Sequence, residues 1–162
     1  ASPNNYGRVT GMDPAGPWFE GNLDRTVGIN PTSAVFVDII HTDVQLGTER
    51  DCGHIDFYPA GGQHQPGCPI DPSKDGEDKE EPSPQDNCSH GRACDYMEES
   101  IRQDCFLAWD KCTDYNNIPA SCSPCTCGTS PCASMGYNVQ NSCQTSGWFY
   151  VAISETAPYC IN

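Results

Sequence analysis

The sequence predicts an α/β fold with few helices, rich in loops and stapled by disulfides, and three observations lead there. Apolar, β-branched runs recur at wide intervals, as do the strands of a sheet buried on both faces. Only one segment carries helical periodicity. The 162 residues hold 12 cysteines, 15 glycines and 14 prolines while only 36% are hydrophobic, so much of the backbone belongs to turns and covalent links stand in for part of the apolar core.

Taken in order, Arg8-Val-Thr-Gly-Met-Asp13 reads as a short strand ending in a turn: Gly11 relaxes the backbone, and Pro14 and Pro17 forbid a helix directly after it. Asp13 then stands at the strand's carboxyl end. The clearest strand is Ala34-Val-Phe-Val-Asp-Ile-Ile-His41, an apolar run of the kind a doubly covered sheet requires. Gly53-His-Ile-Asp-Phe-Tyr-Pro59 is a third extended segment, stopped by Pro59 and Gly61-Gly62. An acidic excursion from Cys68 to Cys88 follows, and its Asp71–Asp86 run reads as a solvated loop. From Ser89 or His90 to about Trp109 the pattern turns helical, with Ala93, Met97, Ile101 and Phe106 near one face. A Ser/Thr/Pro/Gly-rich, cysteine-dense stretch over residues 105–146 cannot bury a core of its own, and Gly147–Ile153 reads as a closing strand.

The length suits one domain. A formal net charge of −14, with only 8 Lys and Arg, disfavours nucleic acid, whose phosphates need cationic partners, and disfavours electrostatic docking on anionic membranes. No apolar run approaches the roughly 20 residues of a membrane helix, so no transmembrane segment is expected. The opening Ala1-Ser-Pro-Asn-Asn5 lacks signal-peptide character and reads as the start of a mature or processed product. Twelve cysteines suit up to six disulfides and an oxidising, secreted setting.

Three motifs then occur in series: Gly11-Met-Asp-Pro-Ala-Gly-Pro17, Phe36-Val-Asp-Ile-Ile-His-Thr-Asp43 and Gly53-His-Ile-Asp-Phe-Tyr-Pro-Ala-Gly-Gly62. Gln65-Pro-Gly-Cys68, Cys88-Ser-His-Gly-Arg92 and Tyr96–Ile101 follow. Together they closely resemble the pancreatic-lipase family over nearly the whole chain. The resemblance implies that residues 1–162 are a single lipase-like domain portion, the carboxyl-terminal part of a catalytic domain, with a partial α/β-hydrolase sheet. It also implies a catalytic acid at Asp13 and a base at His90. Alone, Asp13 before a proline reads as a turn initiator and His90 as a surface histidine at a helix start; the motif series sets those readings aside. The family's serine lies in a Gly-x-Ser-x-Gly elbow upstream of the Asp motif, and no such elbow occurs in the 162 residues.

The same resemblance makes residues 67–89 a lid-like acidic loop and pairs Cys68 with Cys88, Cys112 with Cys122, and Cys125 with Cys132. Cys52, Cys94, Cys105, Cys127, Cys143 and Cys160 stay unassigned. At a structural calcium site of the family, the carboxylate positions align with Asn30 and Ser33 here. Losing two charges weakens a hard-cation site, so calcium is left open there and no cofactor is expected. Zinc at Cys122-Ser-Pro-Cys125 does not fit a disulfide-rich secreted context. His41 and His54 read as hydrogen-bonded structural groups and His64 as solvent-facing.

A lid offering only Ile70 among charged and proline residues has no amphipathic face for a fat droplet. That suits phospholipase A1-like or esterase chemistry better than triglyceride hydrolysis. Three readings follow: the chain works with a Ser-bearing amino-terminal lipase fragment on a lipid or phospholipid ester; it has left catalysis as a secreted binding, signalling or structural protein; or it is an incomplete piece. In each, the chain alone should hydrolyse no ester.

Overall fold

The structure, a computed structural model, describes residues 6–17, 19, 28–70, 84–110, 120–123, 132–143 and 146–161. Its strands are β1 (Arg8–Met12), β2 (Phe36–Ile40), β3 (Ile55–Pro59), β4 (Leu107–Trp109), β5 (Ala133–Ser134) and β6 (Gly147–Val151), with one α-helix, α1 (Pro84–Arg102). They form a single sheet in the order β1-β2-β3-β6-β4-β5. The pairs β1/β2, β2/β3 and β3/β6 are parallel, whereas β4 runs antiparallel to both β5 and β6.

The four strands expected from apolar runs are present, each slightly shorter than its motif. The two others were not expected, and one corrects the helix. Instead of running from residue 89 or 90 to about 109, α1 spans Pro84–Arg102. Proline suits a first helical turn, where its missing N–H leaves nothing unpaired. Beyond Arg102 the open edge of β6 captures the chain: Ala108 and Trp109 pair with Val151 and Tyr150, and strand pairing overrides helical periodicity. The buried face also differs. Ser89, Ala93, Tyr96 and Ser100 point inward, while Ile101 is exposed and Met97 only half-buried. Tyr96 is the reason, because burying its large ring rotates the inner face by one residue.

On that side of the sheet Ile40, Ile55, Phe57, Phe149 and Val151 pack with Ala93, Tyr96, Phe106 and Met135. The Tyr96 ring lies 5.6 Å from Phe106 and 5.3 Å, edge-on, from Tyr159. The opposite face buries Val37 and Ile39 with Ala34, against Val9, Ile29 and Cys52. Gly11 serves close packing here and not backbone relaxation. A Cβ at that position would sit 2.7 Å from Ile39 Cδ1 and 2.8 Å from Pro14 Cγ.

Cys68–Cys88 is bridged as the family pattern implied, and Cys105–Cys160 ties the end of α1 to the chain's last described residues. Cys122, Cys132 and Cys143 are also disulfide-bonded. Each expected pair Cys112–Cys122 and Cys125–Cys132 has one member, Cys112 or Cys125, outside the described residues, where Cys127 lies too. Cys52 and Cys94 are free thiols, so the twelve cysteines form fewer intrachain bridges than the six first allowed. The interior of the acidic loop, residues 71–83, is also outside the described residues, and its end is taken up by α1. The cysteine-rich stretch joins the common core through buried Cys132, Ala133, Met135 and Val139. No described helix is long and apolar enough to cross a membrane.

The two thiols should differ sharply in reactivity. Burial and the nearby Asp56 and Asp51 push the Cys52 thiol up to about 12, leaving it almost entirely protonated at pH 8, whereas Cys94 is exposed on α1. A thiol-specific reagent added to native protein at pH 8 should label Cys94 first and Cys52 only on unfolding, as read by peptide mass spectrometry.

Candidate active site

Asp13 follows β1 directly, at the carboxyl end of an edge strand, in a left-handed conformation with φ of +48°. Asp tolerates that region better than most side-chain-bearing residues. The turn it makes carries its carboxylate back over the sheet end, where its side chain is fully buried. Its backbone N–H still donates to Ile40 O at 2.7 Å, so the strand register fixes the turn.

The carboxylate is satisfied from both sides. Oδ1 accepts the backbone N–H of Thr42 at 2.7 Å and of Asp43 at 3.2 Å. Oδ2 lies 2.6 Å from His90 Nδ1. The amides come from the turn after β2, which Asp43 shapes by accepting from the N–H groups of Gln45 and Leu46. That turn then runs back along residues 14–16, with Thr48 N donating to Pro14 O and Gly16 N to Leu46 O. Gly47 makes the close approach possible, since a Cβ there would fall 2.4 Å from Asp13 Oδ1.

His90 sits in the second turn of α1, beside the Cys68–Cys88 bridge. Its side chain is 40% exposed. With Nδ1 committed to Asp13, Nε2 has no hydrogen-bond partner among the described residues. An imidazole held by a buried carboxylate at one nitrogen, with the other presented outward, is arranged to take and return a proton at Nε2. Asp13 and His90, 77 positions apart, are thus brought together as the sequence implied.

The other expected residues fall where chemistry is absent. His54 Nδ1 accepts the Val37 N–H at 2.9 Å, and His41 is held at Nδ1 by Thr48 O and at Nε2 by Asp56, each at 2.8 Å. Both are structural, as expected. His64 is not simply solvent-facing: it is half-buried, with Nδ1 3.3 Å from Ser89 Oγ. Asn30 and Ser33 form a reciprocal capping box on the turn Pro31–Ser33. The ligand atoms of His41, Cys52 and Asp56 lie within 4.8 Å of one another, as do those of Glu99, Cys105 and Cys160. The second set contains a disulfide, and in the first His41 and Asp56 already bond each other.

Three contributors were not singled out from the sequence, although two lie within the motifs: the Thr42 and Asp43 amides, which any residue but proline could supply, Gly47, and the buried side chain of Gln65. An apolar cavity of about 410 Å³, lined by Met12, Pro14, Phe19, Ile29 and Cys52 among others, flanks the strand that leads to Asp13.

Burial raises the Asp13 carboxyl above its ordinary value, outweighing the lowering effect of the Thr42 amide, His90 and the Asp43 amide. Asp43 is raised too, by burial and by Asp13 and Asp86. A carboxyl raised above 3.8 by folding disfavours the folded chain when ionised. That unfavourable contribution is present where the folded carboxyl is ionised and vanishes as pH falls through the folded value and below the unfolded one. Asp13→Asn should therefore unfold at a higher urea midpoint than the wild type at pH 7, with the difference lost below about pH 4. A lower midpoint at pH 7 would contradict the account.

Comparison with known proteins gives the family. The Lipase family model matches residues 2–159. A phospholipase A1 of Vespula squamosa is 39% identical over 160 residues, covering 97% of this chain and 47% of the wasp protein. A phospholipase A1 of Polybia paulista is 38% identical, covering 98% and 44%. Human pancreatic lipase-related protein 3 is 38% identical over 144 residues, 81% of this chain and 30% of its own length. The chain thus spans less than half the length of these relatives, and within that span it belongs to the lipase family.

Proposed function

We propose that this chain supplies the acid and base of a secreted Ser-His-Asp carboxylic-ester hydrolase acting on lipid or phospholipid, with the serine provided by polypeptide outside these 162 residues. The observation that carries the reading is the 2.6 Å contact between His90 Nδ1 and Asp13 Oδ2, with Oδ1 held by two amides. In the reaction His90 Nε2 takes the proton of the serine hydroxyl as it attacks the ester carbonyl, then delivers it to the leaving alcohol. Asp13 keeps the ring in the right tautomer and stabilises the imidazolium.

The topology supports the same reading. Strand β1 is an edge of the described sheet and pairs with β2 in parallel. A further parallel strand added beside it would end next to Asp13, where a strand-to-helix elbow can present a serine. The relatives' name, phospholipase A1, and the exposed Ile70 beside an acidic loop favour a phospholipid ester over a triglyceride droplet. Disulfides, one of them next to His90, favour an extracellular setting.

A second reading, a non-catalytic lipase-derived binding protein, rests on the apolar cavity beside β1. There the cavity beside β1 would take a lipid acyl chain. Intact mass of native material before and after reduction separates the two, because the first reading requires the serine elbow in the same or an attached polypeptide.

In polypeptide that includes the elbow, His90→Ala should lower kcat by at least about 10⁴-fold with little change in KM, while the 162-residue chain alone should turn over no ester. Hydrolysis by the isolated chain that disappears in His90→Ala would overturn the need for an outside serine. Replacing phosphatidylcholine vesicles by triglyceride emulsion should reduce the rate, and a faster rate on the emulsion would remove the substrate preference.

A further inference from the structure

Gln65 is completely buried, although it lies in the loop between β3 and α1. A buried side-chain amide is costly unless its polar atoms are hydrogen-bonded, and here both are. Nε2 donates to Thr42 O at 3.0 Å and to Pro59 O at 2.9 Å. Oε1 accepts from the Tyr96 hydroxyl at 2.9 Å, and the backbone N–H of Gln65 donates to Ser89 Oγ at 3.1 Å. The orientation of the amide is unambiguous, since carbonyl oxygens only accept and Tyr96 is held as a protonated donor by burial, which raises its hydroxyl.

These partners belong to both halves of the site. Thr42 is the residue whose N–H holds Asp13, and Gln65 grips the same residue by its carbonyl. Ser89 immediately precedes His90, and Tyr96 is the aromatic anchor that seats α1 in the core. One buried side chain, bonded at both its nitrogen and its oxygen, therefore spans from the turn that fixes the acid to the helix that carries the base. Pro59, the third partner, is the end of β3 and keeps the amide centred over the sheet.

We propose that Gln65 is a positioning residue of the Asp13–His90 pair, setting the distance between the Thr42–Asp43 amides and α1. The proposal rests on the reading of Asp13 and His90 as acid and base. Gln65 touches neither the substrate nor the reacting atoms; it acts through Thr42 and the helix.

The test uses the complete polypeptide that carries these residues, with phosphatidylcholine vesicles as substrate and ¹H–¹⁵N NMR of the histidine rings. Gln65→Leu keeps a side chain of broadly similar size and removes its three side-chain bonds. It should lower kcat roughly 10- to 100-fold, the scale on which small misplacements act, leave KM within about twofold, and shift or broaden the His90 Nδ1–H signal. Tyr96→Phe, which deletes only the helix-side bond, should move kcat and the signal in the same direction by less, and it serves if Gln65→Leu does not fold. Variants that lose only thermal stability, with kcat and the His90 signal unmoved, would overturn the proposal. Absence of turnover in the wild type would sink the catalytic reading alone, and the NMR comparison would still decide whether Gln65 positions the pair.

Discussion

A carboxylate sealed from water at the end of an edge strand sets the terms for everything around it. An isolated buried carboxylate costs several kcal/mol or more, so Asp13 persists only because the surrounding chain is bent to serve it. The left-handed turn after β1, the turn after β2 and the start of α1 all converge on its two oxygens. Each is secured elsewhere: the first by the β1/β2 register, the second by Asp43 and its run against residues 14–16, the third by Tyr96 and the Cys68–Cys88 bridge. Holding the acid and assembling the fold are the same task.

The low apolar content finds its explanation in how many polar groups the interior keeps. Arg8 grips Asp38 with two parallel bonds and caps the carbonyls of Gly136 and Tyr137 across the chain. Glu99 accepts the N–H groups of Tyr159 and Cys160, next to the bridge that Cys105 makes. Asp56 receives the N–H groups of Cys52 and Gly53 as well as His41. Such groups add directional constraint where a larger hydrophobic core would add area. The disulfides complete what the modest core leaves undone.

The legibility of this molecule in its sequence follows physical lines. The β-branched runs of β1, β2, β3 and β6 declared themselves because each is long enough to show its pattern. β4 and β5 are too short to show a period, and they exist because β6 offers an edge. Ile101 is exposed where burial was expected, and Tyr96 is buried instead, because helical periodicity alone does not say which of two neighbouring faces will find a pocket large enough for an aromatic ring. Asp13 and His90 were readable through the company they keep, a run of motifs shared with lipases. Backbone amides, a glycine that must lack a Cβ, and a glutamine whose partners lie 6 to 31 positions away leave no local trace. They emerge only when the chain is closed on itself.

The strand order carries a consequence for how the molecule is made. β6 is the last of the six strands along the chain, yet it lies inside the sheet between β3 and β4. A ribosome delivers the edges before the piece that joins them. Until residues 147–151 emerge, β3 and β4 each present an unpaired row of backbone groups, the condition that invites association with other chains. Completion of the sheet is consequently a late, long-range event, and Cys105–Cys160 can close only after it. A copy in which β6 has not yet paired would be an aggregation hazard.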